Sequence, residues 1–310
     1  MRFFDLHADL GDDVVKKHLN HETNVLKKHH LDKLKQGGFE GVCMASFFDG
    51  HETWQEMQVE VLALEAELNE CETVQRVLTA QDLHSNKLKA LMSIEGMCGI
   101  LDDEVNKIQW LYDHGIRLAT LTWNEGNALA QGTKGKADQG LSAKGKNVIY
   151  KMNQLHMIVD VSHANEKTFW DIMNLSDGLV IASHSNSRTL CDHYRNLDDE
   201  QCLAIKAKGG LIGMNSARYF VDRDEANQTV KRLAEHAAYL KTLVGVETIA
   251  CGFDFMDYFE GGIGSAAKGI ETALDAFNFA QALAEVGFSE AEIDRVCYLN
   301  VIDKFTRYLK

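Results

Sequence analysis

Residues 157–185 read MIVDVSHANEKTFWDIMNLSDGLVIASHS. Two short apolar runs, MIVDVSH and GLVIASHS, flank NEKTFWDIMNL, whose apolar residues recur at helical spacing. Strand, helix and strand within about thirty residues make a βαβ unit, which needs a right-handed crossover and two parallel strands. Both runs stop at a histidine, His163 and His184.

The same grammar extends to both ends of the chain. Strand-like runs recur at FFDLH (3–7), FEGVCMASFF (39–48), LKALMSIEG (88–96), IRLATLTW (116–123), GGLIGMN (209–215) and TIACGFDF (248–255). With the first two they make eight. Helical patterns lie between them, such as WQEMQVEVLALEAEL and ANQTVKRLAEHAAYLKTLVG, and the last, SEAEIDRVCYLNVIDKFTRYL, opens with Ser289 and Glu292 at capping-box spacing. Alternation of this kind predicts a parallel sheet covered on both faces. Eight units suggest a closed (β/α)8 TIM barrel in a single domain over residues 1–310, although periodicity alone leaves an open doubly wound sheet possible. Two Gly-rich connections, 124–140 and 256–269, each follow a strand and so would hang over the carboxyl-terminal mouth.

Composition narrows the function. The 310 residues carry a net charge of −14 and show no lasting basic patch, which argues against nucleic acid and acidic membrane surfaces as partners. No run is long enough to span a membrane, and no secretory leader is visible. Seven scattered cysteines without a CxxC pair suggest reduced thiols in a cytoplasm. Nothing in the sequence explains the complete lack of proline.

Polar side chains gather at the strand ends: His7 on the first strand, Glu95 on the third, His163 on the fifth, His184 on the sixth and Asp254 on the eighth. In a barrel these positions share one end. Three histidines with Asp9 and Glu95 form a nitrogen and oxygen donor set without thiolate, suited to Zn²⁺ and also to Mn²⁺, Co²⁺ or Fe²⁺. His7 and Asp9, two apart on an extended chain, can grip one ion, His163 and His184 a second, and Glu95 can bridge the two. Such a pair can share a hydroxide nucleophile and polarise a carbonyl. Asp254 is then a spare carboxylate for moving protons. The other histidines, including His30 and His236, sit on helical or loop patterns and read as surface residues. Ser162, Ser183 and Ser185 flank ligand histidines without a nucleophile elbow and read as hydrogen bonders to the ligands.

The blocks DLHADL, SIEG, IRLATLTWN, VDVSH, ASHSNSRTLCDHYRNLDDEQ, KGGLIGMN and GFDF resemble, in order, the renal or membrane dipeptidases, peptidase family M19, within the amidohydrolase-like metal-dependent barrels. The resemblance spans residue 5 to about 255. It implies two zinc ions, the first on His7, Asp9 and Glu95 and the second on Glu95, His163 and His184. It also implies Asp254 as the proton-handling residue and Arg195 as the partner of a dipeptide's free carboxylate. The implied reaction is hydrolysis of L-Xaa-L-Xaa, and of L-Xaa-D-Xaa, by a metal-bridging hydroxide. Where the animal enzymes have a histidine after LT, this chain has Trp123, so that either Asn124 or a lid residue substitutes or turnover is poor. A family tyrosine near the substrate carboxylate corresponds to either Tyr219 or Phe220. Family habit suggests a homodimer. Trp123 keeps a second expectation open, an amidohydrolase of the same barrel type acting on another amide, cyclic amide or lactone. A metal-stabilised binding protein without activity is the third, and the intact Asp254 speaks against it.

Overall fold

The computed structural model describes residues 1–310. Its strands are β1 (Phe3–Ala8), β2 (Phe39–Phe47), β3 (Val74–Arg76), β4 (Leu88–Glu95), β5 (Ile116–Thr120), β6 (Ile158–Asp160), β7 (Val180–Ile181), β8 (Ile212–Met214) and β9 (Ile249–Cys251). They hydrogen-bond in the order β7-β6-β5-β4-β2-β1-β9-β8, with β3 added beside β4. Ala182, directly after β7, bridges Ile212 of β8 in parallel, so the order returns on itself. Pairings such as Leu118 with Ile158, Ile212 with Ile249 and Asp5 with Cys251 are parallel. The fold is therefore the (β/α)8 barrel that the alternation predicted.

The eight strand runs of the sequence all form strands, for the expected reason. Every residue of β1 is buried and β4 is buried along all but its first residue, as strands covered on both faces must be. Several elements went unread, among them these. Leu10–Leu19 is a helix with Asp12 and Asp13 in its first turn and Lys16 and Lys17 in its last, an arrangement stabilised by the helix dipole rather than by a broad apolar stripe. Leu26–Gln36 is also helical, and Val74–Arg76 is too short to announce itself as a strand.

The chain groups into two compact units. One contains Met1–Ala8, Lys27–Val42 and Ala182–Phe305; the other contains Asp9–Leu26, Cys43–Ile181 and Thr306–Lys310. The first unit has an aromatic core, where Phe253 lies 6.4 Å from Phe3, 5.1 Å from Phe255 and 5.4 Å from Phe279, ring centre to ring centre. In the second, the helix Trp54–Glu70 is opened by a Thr53–Glu56 capping box, and Trp54 packs edge-on against Trp110 at 5.3 Å. The Ser289–Glu292 capping box forms as its spacing predicted. All seven cysteines are free thiols and all but Cys71 are buried. No helix is long and apolar enough to cross a membrane.

The surface reading of His30 and His236 is corrected, for both are buried. His236 accepts the Ser187 N–H at Nδ1 (3.1 Å), so its Nε2–H donates to the Val221 carbonyl (2.8 Å) and the ring is neutral. Burial pushes its pKa down to about 4. In the unfolded chain the same ring titrates near 6.5, so the stability it contributes is complete above that pH and is lost as pH falls toward about 4. A His236→Gln variant, which cannot titrate, is expected to unfold at a lower temperature than wild type at pH 7. The gap should narrow at pH 5, as thermal unfolding followed by circular dichroism would show.

Candidate active site

The first unit supplies His7, His184 and Asp254. His7 is held near the end of β1, and its ring centre lies 4.0 Å from that of His184. Both rings are buried. Ser183 Oγ is 2.7 Å from His184 Nδ1, which occupies that nitrogen and turns Nε2 to the opposite side of the ring. Asp5 Oδ1 accepts the N–H groups of Phe253 (2.9 Å) and His7 (3.3 Å), tying β1 to the turn that follows β9. Burial pushes the Asp5 carboxyl up to about 7. At the end of that turn Asp254 has φ +58°, a left-handed conformation uncommon outside glycine, and its Oδ1 lies 3.9 Å from His7 Nε2. Local strain at a chemically able residue is a recognised mark of a functional position.

The turns that bear these side chains are tightly packed. At both Gly213 and Gly252 a Cβ would fall far inside contact distance of the Ser183 carbonyl oxygen, so neither position has room for a side chain. Ser183 and His184 are thereby seated against two bare backbones.

Arg195 belongs to the same unit and is buried. Its guanidinium carbon stands 5.6 Å from the centre of the Phe220 ring, and its backbone N–H donates to His193 Nδ1 (3.2 Å). Burial, aided by the Arg195 charge, pushes His193 down to about 4 and keeps it neutral. Tyr219 points elsewhere: it is exposed, and its hydroxyl accepts from Arg218 Nη2 at 2.7 Å. Of the two aromatic candidates, Phe220 is the one placed beside Arg195.

The second unit supplies Asp9, Glu95 and His163, all buried. Glu95 is the last residue of β4, and its Oε1 lies 2.6 Å from His163 Nε2. His163 Nδ1 is 3.2 Å from Asn124 Oδ1, which also accepts the Thr133 hydroxyl at 2.9 Å. Because an amide oxygen can only accept, Nδ1 is the protonated nitrogen and Nε2 is left on the Glu95 side. Trp123 is half-buried, with its ring edge-on to Phe47 at 5.3 Å and 6.2 Å from the His163 ring. Lys134, from the Gly-rich connection, lies 5.9 Å over the Trp123 ring.

The donor chemistry fits a divalent cation of borderline softness. It is made of buried imidazole nitrogens and carboxylate oxygens, with the second nitrogen of two rings occupied by Ser183 and Asn124. A scan against protein families matches the chain over residues 1–306 to the membrane dipeptidases, peptidase family M19. The chain belongs to that family.

Relatives of this M19 chain include a Klebsiella pneumoniae protein encoded in the pqqA 5′ region, 34% identical over 191 aligned residues, with 57% of this chain and 70% of that one covered. Dipeptidase tcpJ of Claviceps purpurea is 28% identical over 220 residues, covering 70% of this chain and 50% of its own length, so the chain spans only about half of that fungal relative. In fold, the M19 chain is similar to a Rhodobacter sphaeroides metallopeptidase solved with a phosphinate mimic of the dipeptide L-Ala-D-Ala. The TM-score is 0.86, with 21% identity and 99% of both chains covered.

The M19 chain also carries site residues that the sequence did not single out. Asn186, Asn196 and Asn215 are buried and joined by hydrogen bonds next to Asp254, yet nothing in their spacing separates them from ordinary loop asparagines. Asn215, directly after the strand residue Met214, carried the one available hint: a polar residue at a strand's carboxyl end.

Proposed function

We propose that this chain is a binuclear metallo-dipeptidase, with His7, Asp9 and Glu95 holding one ion and Glu95, His163 and His184 the other, zinc being the first choice. The observation that carries the reading is the pairing of buried ligand-type side chains within each unit: the His7 and His184 rings stand 4.0 Å apart in one, and Glu95 Oε1 lies 2.6 Å from His163 Nε2 in the other. Family membership supports the dipeptidase chemistry. Bound there, the ions would supply an activated hydroxide and polarise the scissile carbonyl.

The rest is the work of this chain's own side chains. Arg195 binds the free carboxylate of the dipeptide as a planar fork and so fixes which bond is presented. Phe220 covers one side of that guanidinium. Asp254 takes a proton during attack and returns it to the departing amine. Asn124 and Ser183 keep the ligand rings turned toward the ions. The free cysteines support a place in a reducing cytoplasm.

The test is amine release from L-Ala-L-Ala, L-Ala-D-Ala, a tripeptide and a C-terminally amidated dipeptide, by zinc-loaded and by chelator-stripped protein. Metal-dependent cleavage of the two free dipeptides alone supports the proposal. Arg195→Ala is expected to raise KM for a free dipeptide about a hundredfold, the scale of a lost charge-assisted pair, with a smaller change in kcat. Trp123, an apolar ring near His163, favours a second reading, in which another amide or a lactone is opened. If no dipeptide is cleaved and Arg195→Ala is silent on the best substrate found, that reading replaces the first.

A further inference from the structure

A buried amide grips one oxygen of Asp254. Asn215 Nδ2 lies 3.2 Å from Asp254 Oδ2 and 3.4 Å from the His184 carbonyl, while Asn215 Oδ1 accepts the Ala217 N–H at 2.7 Å. Both donor and acceptor ends of the amide are thus engaged, and the side chain has a single orientation. Its backbone is equally fixed: the Asn215 N–H donates to Asn186 Oδ1 (3.0 Å) and Asn186 Nδ2 donates back to the Asn215 carbonyl (2.9 Å). Asn186 in turn gives its N–H to Asn196 Oδ1 (3.3 Å), and Asn196 Nδ2 donates to the Phe220 carbonyl (2.9 Å). Buried polar networks in which every member is satisfied are rigid.

We infer that Asn215 is a positioning residue for Asp254, one that holds Oδ2 and so fixes how the carboxylate is turned relative to the His7 ring. The inference rests on the dipeptidase reading of Asp254. Three features argue for it together. The two oxygens of Asp254 have different neighbours, an amide donor at Oδ2 and the His7 ring at Oδ1. The backbone of Asp254 is in a left-handed conformation that needs surrounding support to persist. The amide that supports it is clamped by the network reaching Phe220 beside Arg195, so the proton-handling carboxylate and the carboxylate-binding arginine share one rigid frame.

Two variants separate positioning from folding. Asn215→Ala removes the whole amide. Asn215→Asp is isosteric and keeps an acceptor for the Ala217 N–H, but replaces the donor facing Asp254 with a carboxylate oxygen. Each is expected to lower kcat on L-Ala-L-Ala about ten- to a hundredfold, the range for partners of site residues, with KM within about twofold of wild type and with wild-type metal content. A crystal structure of Asn215→Asp should show the Asp254 carboxylate rotated away from its present orientation, a readout that needs no activity.

Wild-type kcat in both variants, or an unmoved Asp254 carboxylate, overturns the inference. A fall in kcat that is matched by lost metal or by an equal rise in KM also overturns it, by assigning Asn215 to the scaffold. If wild-type protein itself releases no amine, the dipeptidase reading fails first, and the proton-handling role of Asp254 falls with it.

Discussion

Asp254→Asn is expected to keep the metal content of the wild type and to turn over L-Ala-L-Ala about a thousandfold more slowly, within the range for loss of a positioned acid–base group. The substitution is nearly isosteric. The new amide oxygen can still accept from Asn215 Nδ2, as Asp254 Oδ2 does at 3.2 Å, so the side chain should stay where it is. What it loses is the ability to take up and release a proton, which no amide does near neutral pH. The substitution also removes a carboxylate oxygen 3.9 Å from Nε2 of His7, a proposed ligand, so metal binding has to be watched. Metal analysis beside the kinetics separates the two effects. Full metal with lost turnover assigns Asp254 to proton transfer, full metal with more than a tenth of wild-type kcat removes it from the mechanism, and lost metal makes it a ligand.

The architecture was readable because a buried parallel strand must be apolar on both faces, and eight such runs survive in the sequence as unbroken signals. Their ends were less readable. IVDVSH looks like one strand to its last residue, but the ladder stops at Asp160, where Asp160 Oδ1 accepts both the N–H and the hydroxyl of Ser162 and turns the chain out of the sheet. His163 therefore sits three residues beyond its strand. In the same way β7 keeps only two residues before the chain departs toward Ser183 and His184. These departures let side chains at strand ends face a ligand instead of a neighbouring strand. Periodicity cannot show them, because one polar residue such as Asp160 inside an apolar run does not break the strand pattern.

Residue type was enough to nominate candidate metal ligands, since histidine and carboxylate at strand ends are costly to bury without a purpose. It could not nominate Asn215, whose importance lies in which groups surround it. Nor could it place His236, which stands on an amphipathic helix pattern but is buried beneath the segment containing Ser187, whose N–H it accepts. Tyr219 and Phe220 were indistinguishable as neighbours in sequence. The short helix Arg218–Val221 sends one to solvent and the other toward Arg195.

Gly213, inside β8, and Gly252, directly after β9, carry the second large effect. Gly252→Ala is expected to destabilise the folded chain by about 3 kcal/mol or more, at the upper end for overpacking, or to prevent recovery of soluble protein altogether. The added Cβ would collide with the Ser183 carbonyl oxygen and approach Gly213 Cα to 3.0 Å, and these are backbone atoms that cannot rotate away as the end of a side chain can. Gly213→Ala meets the same carbonyl oxygen and should behave alike. Relief can come only by moving Ser183, and with it the hydroxyl 2.7 Å from His184 Nδ1. Any fraction that does fold should therefore bind metal more weakly than wild type, because the ring it needs has lost its orientation. Gly209→Ala is the control for a glycine substitution as such: it has φ +69° but nothing within 4 Å of its Cβ position, so it should cost only the modest strain of a left-handed alanine and spare the metal. Denaturant unfolding and metal analysis on the three variants decide the matter. Equal, small losses in all three would mean that the strand ends around His184 can yield, and that close packing against Ser183 does not hold the site.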